Sequence, residues 1–122
     1  MRLVVDASAI GALIFNEDAA RAVEARLQGA SVCTPELLKS ELASIALKKA
    51  RKNPGRSAEF FGRLDEFLRH RSIQWHDVNH TDVAILASLT GLSAYDASYL
   101  WLAGWLEADL VTLDQRLAGA PA

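Results

Sequence analysis

The chain has 122 residues, 51% hydrophobic and 23% charged, which is enough for one domain with a real core and too little for two ordinary ones. Thirteen Lys and Arg against fifteen Asp and Glu leave a net charge of −2, so no global basic field marks a nucleic-acid binder, and such a partner has to meet a local patch. The single cysteine, Cys33, excludes an intramolecular disulfide and a thiolate zinc cluster, and no run reaches a secretory leader or the roughly 18 apolar residues of a membrane span, which points to a cytoplasmic protein with no membrane partner.

In chain order, residues 2–6 read as a strand and 8–14 as a helix. A second helix is expected over 17–28, with Ala20, Val23 and Leu27 on one face and Gly29 as its stop. Residues 30–33 suggest a short strand. Thr34 then reads as the cap of a helix with Pro35 in its first position, running to about Lys52. Asn53, Pro54 and Gly55 break that helix, and a partner over 57–70 makes a helical hairpin. Residues 72–76 suggest a third strand, HTDVAILASLTG a helix closed by Gly91, and Tyr95–Leu106 another helix. The segment ADLVTLD reads as a strand ending in an acid. Alternating strands and helices predict one α/β domain over residues 1–122, three layers deep, with a mainly parallel central sheet.

The first and last strands share a feature, because LVVD and LVTLD both finish on aspartate. Ligands of open parallel sheets sit at the carboxyl ends of strands, where the strand order reverses. Asp6 and Asp114 are therefore expected on that edge. Glu41 lies in LLKSELASIAL beside an apolar face made by Leu37, Leu38, Leu42, Ile45 and Ala46. Its plain alternative is a surface ion pair, but Lys48 is seven residues away and Lys39 lies on another face. Asp96, in GLSAYDASYLWLA, has a plain alternative of its own: Ser93 and Asp96 have the spacing of a capping box. Asp114 could likewise cap a last turn, DQRLAG.

Four acids from separate segments suit a hard divalent cation. Mg²⁺ or Mn²⁺ prefers oxygen ligands and offsets the repulsion among packed carboxylates. It also lowers the pKa of bound water and stabilises charge building on a phosphodiester. Ser8 and Thr112 place hydroxyls beside the two strand-end acids, able to orient a ligand or a water.

The order and surroundings of these acids resemble those of PIN-domain ribonucleases, and most closely the VapC toxins of toxin–antitoxin pairs. The likeness rests on VVDASAI, SELASIAL, AYDASYLWLA and LVTLDQRL and spans essentially the whole chain. It implies a PIN-like fold and an acidic pocket in which Asp6, Glu41, Asp96 and Asp114 are both metal ligands and catalytic residues. It also implies endonucleolytic cleavage of an RNA substrate, and a small VapB-like antitoxin that occupies the site. Ser44 stands where the family often has asparagine, three residues after the helical glutamate, so its supporting role is altered.

Rival readings fit less well. A haloacid-type phosphatase needs a second acid two residues after the first, where this chain has Ser8. A response regulator carries its acceptor aspartate on a middle strand, and no phosphate-cradling glycine motif occurs. A catalytically inactive PIN-like module that grips RNA or protein is the main alternative, and a DNA-directed nuclease shares the same metal chemistry. From residue 48 to 71, eight basic residues face three acidic ones. Lys48, Lys49, Arg51, Lys52 and Arg56 head that run and are the candidate RNA-binding residues. His70, His76 and His80 lie away from the acid motifs and read as surface or packing residues. Trp101 and Trp105 share one face of a helix whose other face carries Tyr95, Tyr99, Leu102 and Leu106. That helix needs cover on both sides: core packing accounts for one, and a homodimer contact, which the resemblance also implies, is expected on the other.

Overall fold

The computed structural model describes residues 1–120. Strand β1 (Arg2–Val5) leads into α1 (Ala7–Ile14) and α2 (Ala20–Leu27), followed by β2 (Ser31–Pro35) and the long α3 (Leu37–Lys52). A 3₁₀ turn at Pro54–Arg56 reverses the chain into α4 (Ser57–His70), which feeds β3 (Ile73–His76). Helices α5 (His80–Thr90) and α6 (Ala94–Leu106) precede β4 (Asp109–Val111) and the short α7 (Gln115–Ala118).

The four strands form one parallel sheet in the order β3-β2-β1-β4. The chain leaves β1 toward β2 on one side and later returns to pair β4 on the other, so the carboxyl end of β1 is the switch point. Leu3, Val4 and Val5 are each 0% exposed. Since successive side chains point to opposite faces, β1 is covered on both, and the sheet lies between two helical layers. Helix α6 packs on β1, β2 and β4, while α1 and α3 pack on each other. Gly11 lets them approach closely: a Cβ there would lie 3.3 Å from Ile45 Cδ1.

Three boundaries differ from the sequence reading. Thr34 and Pro35 belong to β2 rather than to a helix start, and Glu36 occupies the N-cap of α3 without a side-chain hydrogen bond. Pairing decided this: Thr34 and Pro35 align with Trp75 and His76 of β3, and the ladder extends the strand past the point where local chemistry suggested a cap. Residues 17–19 form a turn, because Asn16 takes a left-handed conformation with φ 53° and the chain re-enters helix only at Ala20. Strand β4 stops at Val111, three residues before Asp114, which caps α7 instead. Gly91 does end α5, at φ 76°, the conformation that suits glycine.

Helix α3 carries Glu41 and holds its place through Leu38, Leu42 and Ala46, all 0% exposed. Truncating the side chain next to Glu41, Leu42→Ala, is expected to cost about 2–5 kcal/mol from lost burial and the cavity left behind. Urea unfolding should show a lower midpoint with an unchanged slope.

Candidate active site

Asp6 follows Val5 directly and is the N-cap of α1. It is only 4% exposed, and a buried carboxylate requires hydrogen-bond donors. Oδ1 accepts from the Ala9 backbone N–H at 3.1 Å and from Ser8 Oγ at 2.7 Å, while Oδ2 accepts from Thr112 Oγ1 at 2.5 Å. Those two hydroxyls also receive backbone donors from the loop after β4: the Leu113 N–H reaches Ser8 Oγ at 2.9 Å and the Asp114 N–H reaches Thr112 Oγ1 at 3.0 Å. Sheet register sets up this network, since Val5 pairs with Val111 and the Asp6 N–H donates to the Val111 carbonyl at 3.2 Å. Thr112 is thereby carried alongside Asp6.

The other three acids arrive on helices. Asp114 caps α7, its Oδ1 accepting from the N–H groups of Arg116 (2.9 Å) and Leu117 (3.3 Å). Asp96 sits half-buried in the first turn of α6, where its N–H donates to Ser93 Oγ at 3.1 Å. The local capping role and a place among the acids therefore coexist. Glu41 projects from α3, and Tyr99 Oη of α6 donates to its Oε1 at 2.5 Å. It makes no ion pair among the described residues: Lys39 bonds Glu36 and Lys49 bonds Glu17.

Charge links the four. Burial raises the Glu41 carboxyl above the ordinary glutamate value; the Tyr99 hydrogen bond opposes this, and the charges of Asp96 and Asp6 push it up further. Asp96 is raised too, first by burial and then by Asp114 and Asp6, against a Ser93 hydrogen bond and the Arg116 charge. One electrostatic neighbourhood at the carboxyl edge of the sheet thus holds acids from α1, α3, α6 and α7.

Residues 3–122 match the PIN domain. This chain belongs to the PIN-domain family. It is 34% identical to ribonuclease VapC3 of Pyrobaculum aerophilum, over 97% of this chain and 93% of that one. Ribonuclease VapC9 of Mycobacterium tuberculosis is also 34% identical, over 95% of this chain and 88% of its own length. Among solved structures, PAE2754 of Pyrobaculum aerophilum superposes with a TM-score of 0.76 at 28% identity, covering 96% of this chain and 85% of that one.

Within this PIN domain, no three Asp, Glu, His or Cys side chains among the described residues stand close enough together to hold an ion as they are. The donor set nonetheless suits a hard cation. Every candidate ligand is a carboxylate oxygen, and in two of the four the ionised form is disfavoured, first by burial and then by the charge of neighbouring acids.

The remaining candidates divide. Ser8 and Thr112 are integral to the Asp6 network, whereas Ser44 is exposed and makes no side-chain hydrogen bond among the described residues. Lys48 and Lys52 lie about 10 and 16 Å beyond Glu41 along the α3 axis. With Lys49 and Arg56 they line a notch of about 370 Å³ backed by Phe15 and Phe60. Lys49 is paired with Glu17 and Arg56 with Glu59, but Lys48, Arg51 and Lys52 have no ion pair among the described residues. His76 ends β3, on the far side of β2 from the acids; His70 and His80 are exposed.

Two residues escaped the sequence reading. Tyr99 follows Asp96 by three and so shares its side of the helix, and a buried tyrosine hydroxyl needs a partner. Arg116, two residues after Asp114, donates to the Gly91 carbonyl at 2.9 Å and brings a positive charge to Asp96.

The raised Glu41 value has a signed consequence for the metal-free protein. Folded protein holds the Glu41 proton to higher pH than the unfolded chain, so this group's contribution is fully present below the unfolded value and is lost as pH rises through the folded one. Glu41→Gln removes that loss. At pH 7 the variant should melt above the wild type in chelator, and the gap should close as pH falls well below the ordinary glutamate value, where Glu41 is protonated in both states. Thermal melts across this range check it.

Proposed function

We propose that this PIN domain is a divalent-metal-dependent endoribonuclease, the toxin of a VapBC-type pair. The observation that carries the reading is that four carboxylates from four separate segments share one electrostatic neighbourhood, two of them raised first by burial and then by the charge of others in the set. Such a cluster is unfavourable by itself and becomes favourable with a cation. The names of its relatives, VapC3 and VapC9 ribonucleases, support RNA as the substrate.

Asp6, Glu41, Asp96 and Asp114 would hold Mg²⁺ or Mn²⁺. When bound, the cation would acidify a water and offset charge on the scissile phosphate. The chain's own residues supply the order. Ser8, Thr112 and the Ala9 N–H fix both oxygens of Asp6; Oδ1 accepts two bonds, while Oδ2 accepts one and keeps a lone pair for a ligand. The α7 N-terminus fixes Asp114. Arg116 limits the repulsion at Asp96 and gives a phosphate a cation near the acids.

Partners follow from the surface. Lys48, Arg51 and Lys52 are free to meet RNA phosphates on the hairpin side of the site, with Lys49 and Arg56 at the notch wall. The α5–α6 surface suits a second copy: Trp101 stacks on Trp105 at 5.4 Å, and Trp105, Leu89 and Ile85 are 72%, 78% and 55% exposed. A VapBC2 structure of Rickettsia felis, bound to a promoter DNA fragment, has a chain of this fold with a TM-score of 0.70 at 16% identity, over 99% of this chain and 94% of that one. It supports a small antitoxin as a further partner. No helix among the described residues is long and apolar enough to cross a membrane, and a free buried Cys33 suits the reducing cytoplasm where such RNA is found.

Asp6→Asn and Asp96→Asn should each keep the fold by circular dichroism and lower Mg²⁺-dependent RNA cleavage by about 10² or more. Growth arrest on expression should disappear with it. Full activity in a folded variant removes that residue from catalysis. Wild-type protein that binds RNA without cutting it, and takes up no metal at millimolar concentration, would mark a binding module; cleavage confined to DNA would mark the other alternative.

Lys48→Ala with Lys52→Ala should act differently, raising KM for RNA severalfold with little change in kcat. The plot of log affinity against log salt should flatten by about one to two units, one for each phosphate contact removed. Filter binding over a salt series measures this.

A further inference from the structure

We infer that Tyr99 is a positioning residue for the metal-binding carboxylate of Glu41, which the phenol holds from the opposite helical layer. The inference rests on the reading of the acids as a metal centre and adds to it a residue outside the acid set.

Tyr99 is 1% exposed, so its hydroxyl has no access to bulk water and must find its partner inside the protein. The partner is Glu41 Oε1, 2.5 Å away, a charge-assisted O–H···O⁻ distance. One hydrogen bond thus ties α6 to α3. Glu41 accepts no other hydrogen bond from a described residue. Each of the other strongly fixed acids, Asp6 and Asp114, has at least two donors. Glu41 has one, so its orientation depends on Tyr99.

The single bond also leaves a division of labour. Oε1 is engaged by Tyr99, while Oε2 carries no hydrogen bond from a described residue and is the oxygen available to a cation. A long glutamate side chain loses considerable rotamer freedom when fixed. Tyr99 meets that entropy cost before the ligand arrives, as groups bonded to metal ligands generally do. Tyr95, four residues earlier, cannot substitute, being 66% exposed and on the solvent side of the α6 start.

The test is Tyr99→Phe, which keeps the ring and removes one oxygen. Calorimetric titration with Mn²⁺ should show about tenfold weaker binding. With Mg²⁺, RNA cleavage should lose kcat by a similar factor while KM for RNA stays put. In the Glu41→Gln background the same substitution should add no further loss, because Tyr99 acts through Glu41. Unchanged Mn²⁺ affinity in a folded Tyr99→Phe protein, or a full additional loss in the Glu41→Gln background, overturns the inference and leaves the metal centre standing. A wild type that binds no Mn²⁺ removes both.

Should Tyr99→Phe fail to fold, the wild type decides. The chain has two tyrosines, so ¹³Cζ-tyrosine labelling gives two signals, assigned with Tyr95→Phe. Mg²⁺ should move the Tyr99 signal with the affinity found calorimetrically. A Tyr99 signal that stays fixed while Mg²⁺ binds overturns the inference.

Discussion

A buried aspartate at the end of the first strand organises this PIN domain. Asp6 is almost out of reach of water, and a carboxylate in that position is tolerable only with its lone pairs occupied. The donors come from both ends of the chain: Ser8 and Ala9 in the first turn of α1, Thr112 in the loop after β4. The β1–β4 register brings them together, and the same two hydroxyls collect the N–H groups of Leu113 and Asp114. Closing this network fixes the loop from which Asp114 caps α7. Lose it, and two of the four acids lose their relation to each other.

Around that fixed point the structure accumulates unfavourable charge. Burial is the largest cost at both Asp96 and Glu41; both also feel Asp6, and Asp96 feels Asp114. The counterweights are local and partial: helix N-termini at Asp6, Asp96 and Asp114, one hydrogen bond at Glu41, one guanidinium near Asp96. Sites that hold residual strain of this kind trade stability for a function. Here the buried core, with β1 covered on both faces and α3 anchored by Leu38, Leu42 and Ala46, carries the stability instead.

Most of the architecture was legible in the sequence because its signals are local. The apolar run Leu3–Val5, the break at Asn53–Gly55 and the stop at Gly91 each depend on a few neighbouring residues. Apart from the local turn at Asn16, the errors came where a partner far along the chain intervened. Pro35 resembled a helix start until pairing with His76 kept it in β2. Asp114 resembled a strand end because LVTLD continues the apolar pattern, but the hydrogen bonds of Thr112 to Asp6 and Asp114 turn the chain out of the sheet first.

By itself the sequence determined which segments become strands and helices, and that Asp6, Glu41, Asp96 and Asp114 were the acids to watch; these depend on period, turn chemistry and residue type, which act over a few positions. Only the tertiary structure decided that the four share one field, that Ser8 and Thr112 serve Asp6 while Ser44 serves nothing nearby, and that Tyr99 reaches Glu41. Residues 41 and 99 are 58 apart. No local preference encodes a contact at that separation: it exists because α3 and α6, each held by its own buried face, end at the same edge of the sheet.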